Sequence, residues 1–155
     1  MKTMKKIVLA LMVALVATTA IAQDFNYETA TPKEIGRQFM MDTADYVYHC
    51  KEAGESSADV TKKITELAGA TWDGLELVKP AHIVAMIDKS DIDDESKKYS
   101  KSIVGILAMS QKMGHPKQAA LGVVSYIVEF AVNAHEKGLP LDGTYELIKH
   151  KTKGS

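Results

Sequence analysis

The stretch that decides the fold is PKQAALGVVSYIVEFAVNAHEK, Pro116 to Lys137. On a helical wheel, Gln118, Ser125, Glu129, Asn133 and Glu136 share one narrow polar stripe, and almost everything else is apolar. A helix apolar on most of its circumference belongs inside a bundle of other helices. The spacing therefore predicts a central apolar helix near 116–137. Its length also raises a membrane span, but Glu129 in mid-helix would cost some kcal/mol in hydrocarbon. We therefore expect no stable span.

Working outward, helix punctuation recurs on both sides. Gly138 and Pro140 end this helix, and Asp142 is positioned to cap a short last one, Tyr145 to Lys149. Upstream, Gly114-His115-Pro116 predicts a tight helical hairpin with the helix carrying Tyr99, Ile103, Ile106, Leu107 and Met113 on its apolar side. Gly105 and Gly122 would let those two helices approach closely. Pro80 opens a short apolar helix ending near Ile87. Before it, Val60, Ile64, Leu67, Thr71, Leu75 and Val78 recur at helical spacing, with a break expected near Gly69. Thr31-Pro32-Lys33-Glu34 is a capping box, and Gly54 stops the helix it begins. The apolar face of that helix is Ile35, Phe39, Met40, Tyr46, Val47 and Cys50. No alternating run long enough for a strand occurs. The fold class is all-α: a compact bundle of five or six helices, with antiparallel neighbours joined by short turns.

The first 22 residues read differently. Lys2, Lys5 and Lys6 precede an uninterrupted apolar run, Ile7 to Ala17, and Ala20-Ile21-Ala22 ends it with small residues. That order is a secretory signal peptide, cleaved after Ala22. The run is shorter than the roughly 20 residues a spanning helix needs. The expected organisation is a removed signal at 1–22, a loose polar leader at 23–31 and one helical domain at 32–155. The expected location is a bacterial periplasm or the exterior.

Removing three lysines and no acid leaves 16 basic residues against 20 acidic ones in 133 residues. An acidic chain gives no electrostatic footprint for nucleic acid. Arg37 is the single arginine, so bidentate recognition of phosphate or carboxylate has little raw material. Cys50 is the single cysteine and can form no internal disulfide. It falls on the same stripe as Ile35, Phe39, Thr43 and Tyr46, which predicts burial. Met41 and Tyr48 lie on the otherwise polar side of that helix. With an exposed Cys50 they would allow a homodimer.

Candidate chemistry is sparse. Histidines at 49, 82, 115, 135 and 150 never pair at a metal-ligand spacing. Calcium loops beginning at Asp88 or Asp91 fail at positions where an EF-hand needs ligands or glycine. Met40 or Met41 with His135 imitates a haem-binding bundle, but no Cys-x-x-Cys-His motif is present, and methionines are common core filler. Asp45 and His49 are four apart, with Asp42 on the same edge, which reads as a surface ion pair. No nucleophile elbow and no phosphate loop occur. No cofactor and no catalytic chemistry are expected.

What remains is an exported helical binding protein that occludes a partner protein. Immunity proteins against delivered toxins and inhibitors of cell-wall enzymes are classes of that kind. The candidate contact residues are Asp88, Asp91, Asp93, Asp94 and Glu95, facing a basic partner. The alternative is a carrier of a small apolar ligand held between the two helices around Gly114.

Overall fold

The computed structural model describes residues 25–153. The expected signal peptide and its cleavage point lie outside the described residues, as does the start of the leader. Residues 25–30 are the described part of a first unit that ends at Ala30. There the Asn26 carbonyl accepts from the amides of Thr29 and Ala30, and the Phe25 and Tyr27 rings meet edge to face. From Thr31 onward the chain is one compact unit.

That unit holds six helices and, among the described residues, no strand. They are α1 (Pro32–Glu52), α2 (Ser57–Leu77), α3 (Pro80–Lys89), α4 (Asp94–Lys112), α5 (Lys117–Glu136) and α6 (Leu141–Lys151). The all-α bundle expected from the sequence is the observed one.

Helix ends follow their chemistry. Thr31 Oγ1 accepts from the Glu34 amide, and Glu34 reaches back to the Thr31 amide at 2.9 Å, closing the capping box. Ser56 and Asp93 cap α2 and α4 by accepting from the amides of Asp59 and Ser96. After α1, α4 and α5 the chain turns through Gly54, Gly114 and Gly138, each at positive φ, where a side chain would be strained. The last helix is longer than expected. Pro140 supplies its extended entry residue, and Asp142 sits in its first turn rather than at the cap.

Helix α2 passes through Gly69 without a break. Gly69 disfavours helix by about 1 kcal/mol relative to Ala. Ala68, Thr71 and Trp72 are buried beside it and hold both halves in line. The break comes instead at Val78, whose backbone is extended.

Packing departs from the hairpin expectation. Helices α1 and α2 each pack against both α4 and α5, whereas α4 and α5 share no extended contact with each other. The Gly114 turn fixes only where those two helices meet. Where they pack is set by their stripes. Tyr99, Ile103, Ile106 and Leu107 of α4, and Ala120, Val124, Ile127, Val128 and Ala131 of α5, are buried. Gly122 has open space around it, so it does not bring helices together.

The apolar helix predicted over 116–137 is α5. It lies against α1, α2 and α6, with Val123 and Tyr126 left outside. The most enclosed helix is α1, met by α2, α4, α5 and α6. Tyr48, expected on its polar side, is buried. Its hydroxyl donates to the Leu139 carbonyl at 2.7 Å and accepts from Thr144 at 2.7 Å. Thr43 donates to the Phe39 carbonyl and accepts from Tyr99, while Ser102 donates to buried Asp42 at 2.6 Å. The Tyr99 ring stacks between Phe39 and Tyr46. Buried polar atoms stay stable only when paired in this way.

Candidate functional site

Helix α3 stands out because six of its ten residues are Ala, Ile, Val or Met, yet none of its residues is buried. Its placement follows from local sequence. The Val78 amide still bonds the Gly74 carbonyl, at 2.9 Å, and closes α2. Lys79 is extended, as a residue before proline prefers, and Pro80 starts α3 at its first position. The chain then folds back on α2. A Cβ on Gly74 would stand 3.3 Å from Ile83 Cδ1, so glycine permits this close approach.

Among the described helices, α3 leans mainly on α2 and α4. Ile83, Val84 and Ile87 are half-buried along that seam. Met86 stays 68% exposed, and Leu77 and Val78 at the end of α2 are 85% and 42% exposed. Ile92, just past α3, is exposed as well. Four large apolar side chains within residues 77–92 are thus open to water. These side chains make this segment the candidate contact site.

The five candidate acids border this segment, and all five are exposed. Asp88 Oδ1 accepts from Lys101 Nζ at 2.8 Å, and the Asp88 carbonyl accepts from Lys97 Nζ at 3.1 Å, which pins the end of α3 to α4. Asp93 accepts from the Ser96 amide at 2.8 Å and caps α4. Hydrogen bonds from Ser96 hold its carboxyl below the usual carboxylate range. Asp94 and Glu95 occupy the first turn of α4, where the helix dipole favours negative charge. Asp91 lies in the connector between the two helices. Two of the five acids therefore hold the local fold together while facing solvent.

The acids of this face are plain in the sequence, whereas its apolar half is not: Val78 continues the helical spacing of the α2 stripe yet is exposed. The available signal was length. A ten-residue helix between two connectors has too little neighbouring chain to enclose it on all sides.

The other candidates resolve into structure. Cys50 is buried, and Lys63 Nζ donates to its sulfur at 3.4 Å and to Glu55 at 2.8 Å. Burial pushes the thiol up from its ordinary value, which disfavours the reactive thiolate. Lys63 also lies 5.2 Å from the centre of the Tyr46 ring. Asp45 does not pair with His49. Its carboxylate takes the Tyr145 hydroxyl and lies 3.6 Å from Lys98 Nζ. Burial raises its pKa to about 6, against the opposing pull of Lys98. His135 packs its ring edge-on to Tyr48. Among the described residues, no group of three or more His, Cys, Asp and Glu side chains could hold a metal ion. No helix among them is long and apolar enough to cross a membrane. Arg37 is spent on the fold, donating to the hydroxyl and carbonyl of Thr152 at the end of α6.

No family model, no curated protein and no solved structure matches this chain.

Proposed function

We propose that this chain is an exported binding protein whose α3 face occludes a basic partner protein, with no catalytic chemistry of its own. The observation that carries the reading is the juxtaposition in residues 77–95. Exposed Leu77, Val78, Met86 and Ile92 adjoin Asp88, Asp91, Asp93, Asp94 and Glu95. An apolar centre with a charged rim is the ordinary anatomy of a protein interface. The apolar residues would supply the binding energy, and the acids would select a basic partner and speed its approach. Export rests on Lys2, the apolar run Ile7 to Ala17 and the Ala20-Ile21-Ala22 ending. N-terminal sequencing of the exported protein should begin at Gln23.

Binding is tested by placing a photocrosslinker at position 86 or, as a control, at exposed position 118, in the expressing cell. The reading expects one protein adduct from position 86 and none from 118. Neutralising Asp91, Asp94 and Glu95 together should weaken that adduct and flatten its salt dependence. Equal adducts from both positions, or an unchanged salt dependence, would refute it.

A further inference from the structure

Eight large apolar side chains are exposed among the described residues, and seven of them fall on two faces. The α3 face holds Leu77, Val78, Met86 and Ile92. The second face holds Val123 and Tyr126 of α5 with Leu147 of α6. It is continuous. Lys151 Nζ lies 5.7 Å from the Tyr126 ring centre and 5.6 Å from that of Phe130, which joins the two helices. Val123 lies one turn before Tyr126, and Leu147 one turn before Lys151.

The two faces have opposite charge. Residues 77–95 carry five acids and two lysines, Lys79 and Lys89. Residues 146–153 carry Lys149, Lys151, Lys153 and His150 against one acid, Glu146, which lies 3.7 Å from Lys149 Nζ. A monomer gains nothing from two separate apolar patches of opposite sign, whereas a head-to-tail contact between copies needs two unlike, complementary surfaces. We propose that the occupant of the α3 face is a second copy of this chain, seated through its α5–α6 face. This rests on the reading of α3 as a docking face and names its partner. Such a contact repeats, so the product is a ring or an open chain of copies rather than a two-fold dimer.

The test uses two double variants of the exported chain. One, Met86→Lys with Asp91→Lys, breaks the α3 face. The other, Tyr126→Glu with Lys151→Glu, breaks the α5–α6 face. All four side chains are exposed, and far-ultraviolet circular dichroism checks that both variants fold. In sedimentation velocity, the wild-type mass should rise with concentration past the dimer, and salt at about 0.5 M should weaken association about tenfold. Each variant alone should remain a monomer. An equimolar mixture retains one intact contact and should give a dimer with one copy of each. A mixture that stays monomeric overturns the proposal, as does wild type that stays monomeric to about 100 µM, a concentration that would populate any contact of micromolar affinity. A monomeric wild type that still gives a single foreign adduct from position 86 sinks this inference and leaves the docking face standing. Loss of that adduct as well sinks both.

Discussion

Helix α1 carries Asp42, Thr43, Asp45, Tyr46 and Tyr48 through its middle, and most of its circumference is enclosed. Helix α3 is mostly aliphatic, and no residue of it is buried. The difference lies in their neighbours. Four helices close around α1, whereas among the described helices α3 packs mainly on α2 and α4. Burial is a property of the surroundings, so a polar helix can be central when its hydroxyls and carboxylates find partners. An apolar helix at the margin is left with surface for something else to cover. On this view α1 carries stability and α3 carries contact.

The largest effect that would test the contrast is a pair of truncations. Phe39→Ala in α1 removes a ring with no exposed surface that stacks on Tyr99, and should cost about 3–5 kcal/mol in urea unfolding. Met86→Ala in α3 should stay within about 0.5 kcal/mol of wild type. Equal costs would abolish the distinction. Next in size is Tyr48→Phe, which strips one hydroxyl from the buried set and leaves the Leu139 carbonyl unpaired. A loss of about 1–3 kcal/mol by the same measurement would confirm that α1 is central because its polar groups are paired. Thr31→Ala removes the cap of α1 and should cost about 1 kcal/mol.

The remaining test is one of pH. Folded Asp45 holds its proton up to a pKa of about 6, against 3.8 when unperturbed. Its raised value favours the fold in the acid form. That contribution is complete below about pH 3.8 and is lost as pH rises through 6. Stability measured against Asp45→Asn should therefore decline between pH 4 and 7 and then level off. The opposing pull of Lys98 is already contained in that value, so the change across the range is at most about 3 kcal/mol. A flat difference across that range would show that α1 does not bury this carboxylate.

Much of the fold was legible because helix ends are local. The Thr31–Glu34 box, the Ser56 cap and the glycines at 54, 114 and 138 each act through backbone within a few residues. The stripe containing Cys50 was legible for the same reason. The pairing of helices was not, since the Gly114 turn says nothing about which faces meet later. Tyr48 was misread because its burial depends on Thr144 and Leu139, some ninety residues away. Gly69 was misread because propensity is weak against packing on both sides. The acidic half of the candidate face was plain from composition. Its apolar half reads as core, because the exposure of Leu77 or Met86 is decided by which distant helices pack against them.

The Arg37–Thr152 contact has a topological consequence. Arg37 Nε meets Thr152 Oγ1 at 2.9 Å across 115 residues of sequence, so the first turns of the first helix touch the end of the last. The helical unit is a nearly closed loop of chain whose two ends are neighbours. A short linker could join them, and new ends could be cut at the exposed Gly114-His115 turn without separating any packed pair of helices. A circular permutant of this kind should fold.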